Sequence, residues 1–282
     1  MTPDAPAQLH NSAPHPPSPA KVGHVESSAG VNIYYEIAGG GPPVVFVAGL
    51  ADDHASWATQ VDALSGEHMV VTFDNRGIGG SSVPGGPYSI EEMAEDAHRL
   101  VHQLSLAPVC AVGSSMGGAI CQRWALSHPG DIERLVLTNT WGERDHFLDS
   151  LFNHWIRLGE ADLGQRALES VLLFCHDPDY LAAHPSAMDE ALALGPPPMV
   201  GFVGAAHACR EHDLLGELHR VTQPTLVIAG EGDLLTRPLF SRRLARALPD
   251  ARLASLPTGH MVFWEEPAAF SDLLCDFLGN RT

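Results

Sequence analysis

Three residues in this chain have the types and settings that nucleophilic catalysis requires. Gly113-Ser114-Ser115-Met116-Gly117 sets a serine among small residues that permit a sharp turn and lift Ser115 out at the start of a helix. Ser114, one position earlier, would point away. A serine hydroxyl is a weak nucleophile at neutral pH, so it needs a base within hydrogen-bond reach, and the base needs an acid to orient it. Among sixteen histidines, His260 stands out because it follows Gly259 at the end of a strand-like segment. The candidate acid is Asp233 in Gly230-Glu231-Gly232-Asp233; Glu231, two residues earlier, is expected to face solvent or the loop.

Positioning these groups requires a sheet. Val44–Ala48 is apolar at every position, the mark of a strand buried on both faces between helices. The same mark recurs at His68–Phe73, Val109–Val112, Arg134–Thr138 and Thr225–Ala229, with flanking strands at Val31–Ile37 and near Ala251–Leu256. Helical patterns lie between them at residues 55–64, Ser89–Leu104 with a capping-box-like Ser89-Ile90-Glu91-Glu92, 116–127 and 238–247. Strand alternating with helix predicts a doubly wound α/β sheet. Ser115, Asp233 and His260 then all leave the carboxyl ends of strands.

From Gly142 to about Arg220 the alternation stops. Helical patterns run over Phe147–Leu158, Gln165–Phe174, Ala187–Leu194 and Met199–His212, with no convincing strand. A helical block at this point would lie as a lid over the crevice at the strand ends. The expected organisation is a disordered Pro-rich arm over residues 1–21, an α/β core over 22–141 and 221–282, and a lid over 142–220.

On Gly113-x-Ser115-x-Gly117, Gly230-Glu-Gly-Asp233, Gly259-His260 with Glu266-Pro267, and Asp74-Asn-Arg-Gly-Ile-Gly-Gly-Ser-Ser82, the chain resembles the α/β-hydrolase fold superfamily over about residues 25–280. Ser115-Met-Gly-Gly118 and Leu135-Val-Leu-Thr-Asn-Thr140 look like the branch of esterases, enol-lactonases, cofactor-free haloperoxidases and carbon–carbon bond hydrolases. The resemblance implies a mostly parallel eight-stranded sheet with the lid after the sixth strand, and the chain order Ser115, Asp233, His260 for the catalytic groups. Backbone N–H groups of Leu50 and Met116 would form the oxyanion hole. The family usually writes His-Gly in the first of these loops, whereas Ala48-Gly49-Leu50 lacks the imidazole that buttresses it. Epoxide hydrolases and haloalkane dehalogenases are excluded, because they carry a carboxylate where Ser115 stands.

Gly49, Trp141, Trp155 and Met261 are candidates for contact with substrate, within an aromatic set that also holds Phe147, Phe174, Met199 and Phe202. Asp52, Asp53 and His54 either line the entrance or form a polar turn at a helix start. Asp74-Asn-Arg76-Gly reads as a glycine turn pinned by Arg76, not as a phosphate site, since no P-loop lysine accompanies it.

Of 282 residues, 45% are hydrophobic, enough for a sizeable core, and 16 Lys+Arg against 34 Asp+Glu give a formal charge of −18. Such a field repels polyphosphates, which argues against nucleic acid or an anionic membrane as partner. The five cysteines show no CxxC or metal spacing and read as buried free thiols. No apolar run is long enough to span a bilayer, the first twenty residues lack the apolar segment of a signal peptide, and a cytoplasmic protein is expected. The sequence implies no metal or organic cofactor and does not reveal the oligomeric state. The expected function is a serine hydrolase acting through an acyl-enzyme on a small apolar or aromatic substrate. The alternatives are a lyase that uses the His260–Asp233 pair for elimination, and a non-catalytic small-molecule receptor.

Overall fold

A computed structural model describes residues 21–28 and 30–279. The expected arm over residues 1–20 lies outside them, and Lys21, expected to end that arm, opens the first strand. Strands β1 (Lys21–Ser28), β2 (Val31–Gly39), β3 (Pro43–Val47), β4 (Met69–Phe73), β5 (Val109–Ser114), β6 (Ile132–Thr138), β7 (Thr225–Gly230) and β8 (Ala251–Leu256) form one sheet in the order β1-β2-β4-β3-β5-β6-β7-β8. β2 runs antiparallel to β1 and β4, and every other pairing is parallel. The eight-stranded, mostly parallel sheet is the one the motifs implied.

β1 has no apolar run because it is an edge strand. Only Val25 and Ser27 are buried, and Lys21, Val22, His24 and Glu26 keep its other face and its ends open or half-open. Central β5, by contrast, is buried at all six positions. Helices α1 (Ala58–Leu64), α2 (Ile90–Gln103), α3 (Met116–Ser127), α9 (Pro238–Ala247) and α11 (Pro267–Gly279) belong to the core, with the short α10 (Val262–Glu265) between the last strand and α11. α2 begins at a complete capping box: Ser89 Oγ accepts from the Glu92 N–H, and Glu92 accepts from the Ser89 N–H. Such caps contribute about 1 kcal/mol each. Under the sheet, Trp57 packs on Phe46 and Phe263 with ring centroids 4.8 and 4.3 Å apart.

Register then fixes where the loops emerge. Val47 pairs with Gly113, Ser114 with Thr138, Thr138 with Ile228, and Gly230 with Leu256, so β3, β5, β6, β7 and β8 end on one edge. The strand order reverses at β3, which lies between β4 and β5; a doubly wound sheet opens its crevice at this kind of switch point. The turn after β4 is pinned as its sequence suggested. The buried Arg76 guanidinium donates to both oxygens of buried Asp96 at 2.7 and 2.8 Å, and to Glu92 at 3.0 Å.

Between β6 and β7 lie only helices: α4 (His146–Glu160), α5 (Gly164–Cys175), α6 (Pro178–Ala183), α7 (Ala187–Ala193) and α8 (Met199–Glu211), followed by a 3-10 turn. In α4, buried Leu148, Leu151, Phe152, Trp155 and Ile156 recur at helical spacing and face α5 and α8. Among the described residues, no helix is long and apolar enough to cross a membrane. Four of the cysteines are buried and free, whereas Cys275 is exposed on α11 and departs from the expectation of buried thiols.

Candidate active site

Ser115 lies at the tip of the turn from β5 into α3 with φ 54° and ψ −119°, a conformation that costs a non-glycine residue on the order of 1–3 kcal/mol. Neighbouring contacts hold it there. Its N–H donates to Thr138 O at 3.0 Å, and Thr140 Oγ1 donates to Ser115 O at 2.7 Å. The flanking glycines are required by close approach: a Cβ on Gly113 would stand 2.4 Å from Gly117 O, and one on Gly117 would stand 2.0 Å from Val47 O.

His260, in the loop after β8, has Nδ1 2.8 Å from Asp233 Oδ2. With Nδ1 donating to the carboxylate, Nε2 is left to accept a proton. Asp233, after β7, is held by further donors: its Oδ1 accepts the N–H groups of Leu235 and Thr236, each at 2.8 Å, and its Oδ2 accepts the Thr236 hydroxyl at 2.8 Å. Both side chains are buried. Thr236, not singled out in the sequence, also lies 3.2 Å from His260 Nδ1.

Asn139 is a second residue that sequence reasoning missed. Immediately after β6, at φ 43°, it donates from Nδ2 to Gly259 O at 3.0 Å and His260 O at 2.7 Å, and accepts from Gly230 N–H at 2.7 Å. One buried amide thus ties the loop carrying Asp233 to the loop carrying His260. The available signal was its polarity directly after a buried strand, at a position where only a carboxylate would mark a catalytic acid.

Of the expected contacts, Gly49, Trp155 and Met261 line one cavity with Ser115, His260 and Leu50 of the expected oxyanion hole, with an empty volume of about 600 Å³ including open solvent at its mouth. Met116 faces an adjoining hollow shared with Gly49, Leu50 and Phe202. Trp141 does not line the cavity. Its ring is buried between Phe152, centroids 5.5 Å apart, and His212, centroids 5.7 Å apart, and packs into the lid base, not the cavity wall. The rest of the wall is largely apolar and comes from the lid, Phe152, Leu168, Val171 and Leu172 among it. The lid is fastened to the loop that carries His260: His260 N–H and Met261 N–H donate to Cys175 O at 2.8 and 3.2 Å, and Glu265 accepts the N–H groups of Gly259 and Asp177 at 2.6 and 3.1 Å. Burial pushes the Cys175 thiol well above its ordinary value, so it is not a competing nucleophile.

At the expected oxyanion loop, Ala48 is fully buried and its carbonyl accepts from Asn75 Nδ2 at 3.0 Å. Asn75 therefore braces the loop from the Asp74-Asn-Arg turn in place of the absent imidazole. The Met116 N–H sits in the first turn of α3, where no intrahelical acceptor exists.

Among the described residues, Glu95/His98/His128, His98/His102/Asp131 and Asp53/His54/Asp74 bring donor atoms close enough to hold a metal ion, and none of these residues lines the Ser115 cavity.

The model of the alpha/beta hydrolase fold matches residues 42–267. The chain belongs to the alpha/beta hydrolase fold family. Within this family it is 30% identical over 256 residues to "Putative carbamate hydrolase RutD" of Azorhizobium caulinodans, an alignment covering 88% of this chain and 96% of that protein. A protein of the same name from Agrobacterium fabrum is 33% identical over 245 residues, 84% of this chain and 93% of the other. Among solved structures, the enol-lactonase from Burkholderia xenovorans LB400 superimposes with a TM-score of 0.86 at 29% identity, covering 92% of this chain and all of that one. The helical insertion after β6 in this alpha/beta hydrolase accounts for the lid wall of the cavity.

Proposed function

We propose that this alpha/beta hydrolase is a serine hydrolase that cleaves the acyl bond of a small ester, lactone or carbamate through an acyl-enzyme. The observation that carries this reading is that His260, fixed through Nδ1 by Asp233, and Ser115, held at a strained turn, border the same cavity. In the reaction, Ser115 Oγ attacks the carbonyl carbon while His260 Nε2 takes its proton, and the alkoxide is held by the Leu50 and Met116 N–H groups. Collapse of the intermediate expels the leaving group, protonated by His260. A water molecule, deprotonated by the same imidazole, then cleaves the acyl-enzyme and restores Ser115. Asp233 keeps the imidazole in the right tautomer and supports its charge during each transfer.

The substrate range is supported by the apolar lid wall of the cavity and by relatives named for carbamate and enol-lactone chemistry. Labelling by a fluorophosphonate probe, mapped to Ser115 and lost in Ser115→Ala, is the expected result, together with one solvent oxygen in the released acid when turnover runs in heavy-oxygen water. Turnover that persists in Ser115→Ala and incorporates no solvent oxygen would overturn the hydrolase in favour of an elimination.

A further inference from the structure

The three polar residues Asp52-Asp53-His54 take different roles in the fold. Asp53 accepts the Ala55 N–H at 2.9 Å and caps the helical turn His54–Trp57. His54 donates its backbone N–H to Asp74 Oδ1 at 2.7 Å and brings its ring Nδ1 within 2.8 Å of the same atom. Asp52 neither caps nor tethers. Among the described residues, no group donates a hydrogen bond to its carboxylate, although it lines the cavity beside His260 and Met261. Its Oδ2 lies 3.3 Å from the point where a Cβ on Gly49 would stand, and Ser115 Cβ lies 3.3 Å from the same point. The carboxylate and the candidate nucleophile therefore flank a single glycine of the oxyanion loop.

An unpaired negative charge here works against hydrolysis of a neutral substrate, because it repels the alkoxide that forms next to it. The arrangement becomes favourable when the substrate itself brings a donor or a positive charge to the carboxylate. We infer that Asp52 binds a nitrogen-borne hydrogen-bond donor close to the scissile carbonyl, an ammonium or a carbamoyl N–H, and so selects amino-bearing acyl compounds over their carbon isosteres. This rests on the serine-hydrolase reading and deepens it into a substrate class. The formal charge of −18 acts in the same direction by concentrating cations near the protein.

Burial pushes the Asp52 carboxyl up to about 6, opposed by attraction to His260 and His176 and assisted by Asp53. The groups facing Asp52 are Asp53 on its own loop, His260 after β8, and Cys175 and His176 at the end of α5, with the thiol kept protonated by burial.

The test compares kcat/KM for methyl 3-aminopropanoate with methyl butanoate, and for methyl carbamate with methyl acetate, in the wild type, Asp52→Asn and Ser115→Ala. The ratio within each pair cancels effects common to both substrates, including protonation of His260. For the ammonium pair, the wild-type ratio is expected to exceed that of Asp52→Asn by about tenfold or more, the scale of a hydrogen bond to a charged group. The neutral esters are expected to react faster in the variant, where the carboxylate no longer opposes the developing alkoxide. A carbamate ratio that falls with the ammonium ratio extends the donor class to neutral N–H groups; one that does not restricts it to cations. Equal losses on all four substrates, or unchanged ratios in Asp52→Asn, overturn the inference. Activity surviving in Ser115→Ala defeats the hydrolase reading instead.

Discussion

Two histidine–carboxylate centres occupy opposite ends of this molecule. Beyond the carboxyl ends of the strands, His260 meets Asp233 at 2.8 Å. At the other end, beside the start of β6, Asp131 receives His98 Nδ1 at 2.7 Å, His102 Nε2 at 2.8 Å and Trp124 Nε1 at 2.8 Å, while His128 stacks on His98 at 3.7 Å and meets Glu95 at 2.9 Å. Both carboxylates are buried and accept several donors, so the pairing itself does not distinguish a reactive centre from a structural one. What differs is the other side of the imidazole. His260 borders a cavity with a serine on its wall, whereas His98 and His128 turn their faces to each other and fasten α2 to the end of α3.

That contrast is sharpest in substitutions. Ser115→Ala or His260→Ala is expected to reduce kcat by about 10⁴-fold or more, while His98→Ala or His102→Ala leaves kcat within about twofold, as measured by steady-state kinetics on one ester. Asp233→Asn is expected to cost about 10³- to 10⁴-fold in kcat by presenting the imidazole in the wrong tautomer. In Asp131→Asn the loss should instead be about 1–3 kcal/mol of stability in urea unfolding, with turnover preserved. Asn139→Ala should lower kcat by about 10- to 100-fold with a smaller change in KM, because the loops bearing Asp233 and His260 lose their shared tie.

The smallest effect is one of pH. Burial pushes the Asp131 carboxyl up, but the hydrogen bonds from His98, Trp124 and His102 outweigh it and hold the group below its ordinary value. A carboxyl with a depressed folded pKa contributes stability that is present above its unfolded value, near 3.8, and is lost as pH falls through the folded value. Asp131→Asn should therefore flatten the acid side of the stability curve below about pH 4, as read by denaturation midpoints. An equal acid-side slope in both proteins would show that Asp131 contributes nothing to acid stability.

The same two centres show which features are legible in a sequence. Ser115, Asp233 and His260 each sit just after a segment with strand character and among glycines, so local pattern was enough to nominate them. Asn139 and Thr236 have no such signature. Their roles come from hydrogen bonds across 121 residues to His260 O and across 24 to its ring, and no local pattern encodes either partner. Asp52 illustrates the same limit within one turn: three consecutive polar residues read alike, and only the packing separates a cap, a tether and a cavity wall. Trp141 fails for the converse reason, since an aromatic beside the lid is equally suited to line the cavity or to pack behind it. β1 was hidden because an edge strand needs no continuous apolar run, and six-residue α6 because its start is set by a cap from Asp177, not by an apolar stripe.

The sequence by itself determined the alternation of buried strands and amphipathic helices, the break in that alternation where the lid enters, and the types of the candidate reacting groups. These are properties of short windows, where burial on two faces or one leaves a period in the residues. Tertiary structure alone decided which side chains share a cavity, that an asparagine braces the loop in place of an imidazole, and that Asp52, alone of that polar run, faces the cavity with no donor to its carboxylate among the described residues. Such outcomes depend on distances between segments far apart in the chain, which are set by strand register and by the packing of the lid.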